Sequence, residues 1–455
     1  MKAEYETYCA THGRPDRIEL MLCDINAVLR GKWLPGDAIG KLEGGAVRLP
    51  YSTYAPAIMG NEVEATGLGI VVGDPDGVLV PVPGTLRPVP WMPGKVAQLQ
   101  VEMLTPEGAP SPISPREILK ATLARFAARG WRPVVATELE FYILRPRKRG
   151  DDPPVPPPRT PTAQNYDLEV VARQEAILTE ILSTCEAQGL ETDTLIAEYG
   201  PGQFEVNFHH TEDVLRAAET AILFRRLVRG IVARHGMEAT FMAKPYAEAP
   251  GNGMHVHCSI LDAEGRNIFA PEGQGNIFAD GTGPAGPAPL LKQAVAGVLD
   301  TMADFQAIFA PHMNSYRRFQ PMSFAPSSPD WGYDNRAAGV RLPQTDGPAA
   351  RLEHRISGAD VNPYLVLTAI LGGILHGIDT DPDLPLPIDD PGAAPAPTLG
   401  HDWFDAVERF AVSDHVAEVF GETYRHVYAA VKTDEVQTLT GLITPVEYRY
   451  YLSRL

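Results

Sequence analysis

Cysteine is scarce in this chain. Four occur in 455 residues, Cys9, Cys23, Cys185 and Cys258, scattered without metal-type spacing. They read as reduced, buried thiols rather than a disulfide scaffold or a zinc module. Long apolar runs are missing as well. No stretch approaches the about 20 residues that span a bilayer, and the N-terminus lacks a charged head followed by an apolar core. No membrane association is expected, and a cytoplasmic location follows by default. Positive charge is also short: 39 Lys and Arg face 57 Asp and Glu, a formal net charge of -18. Such a surface repels phosphate backbones and argues against nucleic acid as a partner. It mildly suits a cationic substrate.

What is present is a hydrophobic fraction of 44%, enough for one large core and a smaller one. Residues 18–107 are strand-like and turn-rich, with Ile18–Cys23 the clearest apolar run. Gly-Ala-Pro-Ser-Pro-Ile at 108–113 marks a boundary between a domain at 1–107 and one at 108–455. A helix then starts at Ser114, with Pro115 at its first position and Glu117 three residues on, and ends at Gly130. A strand over Arg132–Leu144, a helix over Asp167–Gly189 and a strand pair around Gly200–Gly202 follow. A helix over Thr211–Gly236 and strands at Ala239–Lys244 and Met254–Leu261 come next. Gly- and Pro-rich 271–289 and 381–399 read as loops. The alternation predicts an α+β fold, a mostly antiparallel sheet covered by helices.

Four blocks carry chemistry. In Thr137–Leu144, alternation puts Glu138 and Glu140 on one strand face and Leu139 and Phe141 on the other. Two residues along a strand span about 6–7 Å, a spacing that suits carboxylates serving neighbouring cations. In Ala-Glu-Tyr-Gly-Pro-Gly-Gln-Phe-Glu, Glu198 and Glu205 flank a tight turn. In Gly251–Ser259, His255, His257 and Ser259 share one face. The last block is rich in arginine: Arg317 and Arg318, Arg336 and Arg341, then Arg351-Leu-Glu353-His-Arg355. Taken singly, each block also reads as a solvated strand face, a surface hairpin or surface ion pairing. Together they gather five carboxylates and two histidines in a stretch that reads as core. Carboxylates so grouped stay ionised only beside cations, so divalent metal is expected. Carboxylate-bound metal with guanidinium forks is what phosphoryl transfer from a nucleotide needs.

With these blocks in this order, ending in Asn362-Pro363-Tyr364, the chain resembles the glutamine synthetase family over essentially its whole length. The resemblance implies a small N-terminal β-grasp domain and a larger catalytic domain with an antiparallel sheet flanked by helices. It implies ATP as co-substrate, Mg²⁺ or Mn²⁺ at two or three ions per site, and L-glutamate and a small amine as substrates. It also implies a homododecamer of two stacked hexamers with active sites between subunits. Glu140, Glu198 and Glu205 match the ligands of the metal at the glutamate site. Glu138, His255 and Glu353 match those of the metal at the nucleotide phosphates. His257, Ser259, Arg341 and Arg351 match nucleotide contacts. Arg318, Arg355 and Gly251 match the glutamate site, and Arg336 faces the transferred phosphoryl group. Arg336, Glu353 and Arg355 are the catalytic residues so implied. The family's asparagine before the glycine is Pro250 here.

The chain departs from ammonia-using members in its flap, Asn314-Ser-Tyr-Arg-Arg-Phe-Gln-Pro-Met-Ser-Phe324-Ala-Pro326. Phe324 stands where those enzymes carry a glutamate. Val47–Thr53 likewise contains no acid where they carry an aspartate. An aromatic there suits an alkyl amine, by packing or by cation–π attraction of about 0.5–2 kcal/mol. Arg30-Gly-Lys32, Arg48-Leu-Pro50 and Phe241–Tyr246 are similar to the γ-glutamylpolyamine synthetase branch. The expected reaction is ligation of glutamate to an organic amine such as a polyamine. An ammonia-using synthetase and a catalytically silent scaffold are the alternatives. Asp381–Gly400 contains no tyrosine, so adenylylation of that loop is not expected.

Overall fold

A computed structural model describes residues 1–270, 287–319 and 325–455. Phe324 and most of the predicted 271–289 loop therefore lie outside the described residues. The fold is mixed helix and sheet, as the alternation predicts. Seven strands within residues 17–103 form one sheet: β1 (Arg17–Cys23), β2 (Leu29–Arg30), β3 (Trp33–Pro35), β4 (Arg48–Pro50), β5 (Asp76–Pro81), β6 (Arg87–Pro88) and β7 (Val96–Met103). Its central pair, β1 and β7, is parallel.

Eight more described strands form the second sheet: β8 (Arg132–Leu144), β9 (Thr192–Ala197), β10 (Gln203–Phe208), β11 (Glu238–Thr240), β12 (Met254–Leu261), β13 (Trp331–Tyr333), β14 (Val340–Gln344) and β15 (Arg351–His354). Their order is β13-β14-β15-β12-β8-β10-β9, with β11 beside β8. The pairings are antiparallel except β13 with β14.

The strand alternation acts as read. Leu139, Phe141, Phe204, Val206, Met254, Val256 and Cys258 are all buried on one face. Phe141, Phe208 and Phe241 pack around Phe224 of helix Val214–Arg234 at centroid distances of 5.8, 5.2 and 6.1 Å. The other face is left to the polar residues of the same strands.

Ser114 accepts from the Glu117 amide at 3.3 Å and starts helix Pro115–Ala127. The single helix expected over 167–189 is two, Leu168–Arg173 and Glu175–Ala187, divided at Gln174, whose φ of -106° leaves the helical range. The expected 211–236 helix runs over Val214–Arg234, and the strand expected over 239–244 is the shorter β11. Among the described residues one helix, Pro363–Thr380, is long and apolar enough to cross a membrane, but 78% of it is buried inside the protein. It is the central core helix, capped by Asn362, whose side chain accepts from the Tyr364 amide at 3.1 Å.

The N-terminal sheet is tied to helices of the rest of the chain by buried and half-buried polar contacts. Asn362 donates to the Asp24 carbonyl at 3.0 Å. Arg226 pairs with Glu19 and reaches Gln98 at 2.9 Å. Lys432, fully buried, reaches Glu435 at 2.9 Å and Asn26 at 2.6 Å.

Candidate active site

Strand register builds the site. Glu205 on β10 lies opposite Glu140 on β8, and Glu138 lies between Asn207 of β10 and His255 of β12. His257 lies opposite Glu353 of β15, which lies opposite Arg341 of β14. Five adjacent strands thus contribute to one polar face. The hairpin bearing Glu198 closes through Gly200–Gly202. Gly202 has φ 83°, and a Cβ there would come within 2.7 Å of the Ile143 carbonyl, so this turn requires glycine.

One carboxylate joins both ends of the face. Glu138 Oε2 lies 3.1 Å from His255 Nδ1, and its Oε1 lies 2.9 Å from His257 Nε2. Single ligand atoms from Glu138, Glu205 and His255 fall within 4.8 Å of one another, and so do those from Glu138, His257 and Glu353. Glu138 thus belongs to both groups, and His257, expected at the nucleotide, joins the second. Glu140 takes a different place. Its Oε2 accepts from the Gly253 amide at 2.7 Å and from Gln203 Nε2 at 3.2 Å. It lines the same cavity as Glu198 and Glu205.

Crowding and burial of carboxylates set the electrostatics of this face. Burial, then the charges of Glu138, Glu140 and Glu198, push the Glu205 carboxyl up to about 9. Burial and Glu140 push Glu198 up to about 7. Burial also acts on Glu138, but the hydrogen bonds and charges of His255 and His257 outweigh it and hold it well below the usual carboxylate range. Glu353 is likewise lowered: against its burial stands chiefly the charge of Arg355. A carboxylate that takes a proton because its neighbours are carboxylates gives that proton up to a metal ion. Oxygen-rich groups with one imidazole fit Mg²⁺ or Mn²⁺.

Two cavities meet along this face. One, of about 640 Å³, is lined by Glu140, Glu198, Glu205, His255, Arg318, Arg336 and Arg355, with Gly251 at its wall. The other, of about 540 Å³, is lined by Glu138, Asn207, His209, His257, Ser259 and Arg351. The change of cavity falls between Glu140 and Glu138 on β8, between Glu205 and Asn207 on β10, and between His255 and His257 on β12.

The predicted residues that the structure describes come together, with more than one difference in placement: Glu353, which is buried, lines neither cavity. Arg341 lines neither cavity. It bonds Glu353 at 2.9 Å through Nη1 and Asp334 at 3.0 Å through Nε. Arg355 pairs with the same Glu353 and donates to the Arg336 carbonyl at 3.2 Å. Arg318, buried, donates to the Ile356 carbonyl at 2.9 Å. Gly251 permits a close approach: a Cβ would meet the Ala243 carbonyl at 2.4 Å and Arg318 Cγ at 2.6 Å. Arg351 Nε reaches His257 Nδ1 at 3.3 Å. Pro250 lines the larger cavity and accepts from the Tyr142 hydroxyl at 2.8 Å.

Sequence reasoning missed several side chains here. Gln203, buried, bridges Glu140, the Gly251 carbonyl at 2.9 Å and Asn252 at 3.2 Å. It stands two residues before Glu205 on the same strand face, a signal that was available. Asn165, Tyr166 and Tyr199 line the larger cavity. Asn165 and Tyr166 have φ of 42° and 66°; asparagine tolerates that region, and the strain falls on Tyr166.

The chain is similar to known proteins over its whole length. The profile of the glutamine synthetase catalytic domain matches residues 112–451. The chain is 38% identical to gamma-glutamylputrescine synthetase PuuA of Escherichia coli (strain K12), over 99% of this chain and 94% of that protein. It is 30% identical to the glutamate–isopropylamine ligase of a Pseudomonas species, over 96% and 95%. The GmaS/ADP complex superposes with a TM-score of 0.85 at 27% identity, covering 100% of both chains. The chain belongs to the glutamine synthetase family.

Proposed function

We propose that this protein ligates the γ-carboxylate of L-glutamate to an organic amine at the expense of ATP, through γ-glutamyl phosphate. The observation that carries the reading is the pair of cavities meeting at one row of carboxylates, with arginines at the ends. The relatives named for putrescine and isopropylamine point to an alkyl amine rather than ammonia. Phe324, in place of a carboxylate in the flap, points the same way.

Glutamate takes the cavity with Gly251, Arg318 and Arg355, whose guanidinium groups face its carboxylates. The nucleotide takes the cavity with His257, Ser259 and Arg351. As the family resemblance implies, Glu140, Glu198 and Glu205 would hold one divalent cation and Glu138, His255 and Glu353 another, although ligand atoms lie within 4.8 Å of one another in the groups Glu138, Glu205, His255 and Glu138, His257, Glu353, with Glu138 common to both. When bound, these ions neutralise phosphate oxygens and the developing charge. Arg336 lines the glutamate side of the boundary, where its charge stabilises the transferred phosphoryl group. Arg341 and Arg355 hold Glu353 from both sides and fix its carboxylate. The amine then attacks the acyl phosphate as its free base.

We further propose division into domains at 1–107 and 108–455, a cytoplasmic setting and stacked hexameric rings. Exposed Ile70, Val71 and Val72 support assembly. So do exposed Leu442, Ile443, Tyr450, Tyr451 and Leu452 near the C-terminus.

The test is glutamate-dependent ADP release with ammonium, putrescine, spermidine, ethanolamine and short monoamines side by side, with products identified by mass. Turnover with an alkyl amine and little with ammonium is expected; preference for ammonium overturns the reading. Phe324→Glu should improve ammonium use, and no gain removes Phe324 from the argument.

A further inference from the structure

A second cluster of metal-ligating side chains shares no residue with the active-site face. It joins three helices: Asp300 near the end of Pro289–Thr301, His376 near the end of Pro363–Thr380, and His415 at the start of Asp414–Phe420. One ligand atom from each of the three lies within 4.8 Å of the other two. His376 Nε2 lies 2.9 Å from Asp300 Oδ2, and the two imidazole rings stand 4.5 Å apart at 61°. The histidines are partly buried, and Asp300 is half exposed, so solvent reaches the group.

We propose that Asp300, His376 and His415 form a site for a first-row divalent metal ion of the zinc type, distinct from the catalytic cations. Three observations support it. First, the donor set is two imidazoles and one carboxylate. That set favours Zn²⁺, Co²⁺ or Ni²⁺ and discriminates against Mg²⁺, the reverse of the oxygen-rich active site. Three protein ligands leave a further position for water.

Second, His415 is oriented from behind. Its Nδ1 lies 2.9 Å from Asp304 Oδ2, and the same oxygen accepts from the Ser413 hydroxyl at 2.8 Å. A carboxylate on one imidazole nitrogen fixes the tautomer and makes the other nitrogen, Nε2, a better ligand. Ser413 is itself fixed, since its hydroxyl caps the helix by accepting from the Val416 amide at 3.2 Å.

Third, the two longer helices are held rigidly where the site sits. A Cβ on Gly297 would lie 2.3 Å from the Gly373 carbonyl and from Gly377 Cα, so the helices touch backbone to backbone. Gln293 bonds Asp381 at 3.0 Å across the same pair. Bound metal replaces the His376–Asp300 hydrogen bond and clamps all three helices.

The experiment adds Co²⁺ to the full-length protein saturated with Mg²⁺ and reads the visible d–d absorption, then displaces it with Zn²⁺. The expected result is a four-coordinate spectrum at one ion per chain, absent in His376→Gln and retained in Glu205→Gln. Zn²⁺ should also raise the Tm of the Mg²⁺-saturated parent and leave that of His376→Gln unchanged. His415→Gln risks misfolding because His415 holds Asp304, so Asp300→Asn, at a half-exposed position, serves as the second variant and should weaken Co²⁺ binding at least tenfold. No Co²⁺ uptake beyond Mg²⁺-competed sites overturns the proposal. Uptake unchanged in both His376→Gln and Asp300→Asn overturns it equally.

Discussion

The crowding of Glu205 predicts a stability that depends on pH and on cations in opposite senses. In protein stripped of divalent metal, the folded carboxyl titrates near 9 against an ordinary 4.5, raised first by burial and then by Glu138, Glu140 and Glu198. A raised folded pKa means that the folded state binds the extra proton. Its contribution is therefore fully present below about pH 4.5 and is lost as pH rises toward 9. At pH 7 the group has moved about 2.5 units past its unfolded value, a loss of about 3 kcal/mol at 1.36 kcal/mol per unit. Glu198 shares the same repulsion and titrates with it, so its shift is not added. Between pH 5 and 8 the Tm of EDTA-treated protein should fall by an amount on the order of 5 °C. Saturating Mg²⁺ should restore it, because cation replaces proton at the same oxygens. Glu205→Gln removes the charge and keeps the shape. The metal-free variant should then be more stable than the metal-free parent at pH 8, with a flatter pH profile and a smaller gain from Mg²⁺. Differential scanning fluorimetry of both proteins, with EDTA and with Mg²⁺ from pH 5 to 8, reads all of this. A flat metal-free parent, or a Glu205→Gln protein no more stable than the parent at pH 8 without metal, refutes the reasoning.

Gly251→Ala places a Cβ against the Ala243 carbonyl and Arg318. It should cost about 1–3 kcal/mol in stability and raise KM for glutamate more than KM for ATP; equal changes in the two constants would count against Gly251 as part of the glutamate wall. Glu353→Gln leaves the guanidinium groups of Arg341 and Arg355 facing a neutral amide. The expected cost is about 3–5 kcal/mol, read as a lower Tm together with lost turnover, and an unchanged Tm would show that the ion pairs do not hold the fold. Tyr199→Ala and Tyr166→Ala remove half-exposed rings from the larger cavity. Loss of a ring under an alkylammonium group should raise KM for the amine by about 2- to 30-fold with KM for ATP unchanged; no change in amine KM for either variant would place the amine elsewhere.

Much of the site was legible because it is written in strand alternation. The period of two puts Glu138 with Glu140 on a face of one strand and His255 with His257 on a face of another, and the pairing of β8 with β10 and β12 joins them and Glu205 into one face. The helix start at Ser114 and the bounds of β8 and β12 were equally local, set by a capping side chain and by apolar neighbours. What was not legible depends on contacts between distant segments. That Glu138 joins both ligand groups, or that Glu140 is held by Gln203 and the Gly253 amide, follows from register across three strands and a loop. The placement of Arg341 beside Asp334 depends on the turn before β14. Tyr166 lines the cavity from a backbone with φ of 66°, which neither hydrophobic period nor a tyrosine reveals. The break at Gln174 falls in a sequence with neither proline nor glycine to mark it.

The same period of two explains why one sheet face lines two cavities. Along β8, β10 and β12 the lining changes from one cavity to the other over a single pair of same-face residues, Glu140 to Glu138, Glu205 to Asn207 and His255 to His257. That step is about 6–7 Å. The distance is set by backbone geometry rather than by flexible side chains, so the two half-sites are held at fixed spacing without a dedicated scaffold. It also makes register the quantity under strongest constraint. A slip of one residue in β8 would replace Glu138 and Glu140 by Leu139 and Phe141 and turn two charges into the Phe204–Phe224–Phe241 core. The buried aromatic cluster beneath the sheet therefore acts on the candidate site through position. It fixes the register that decides which carboxylates face which cavity.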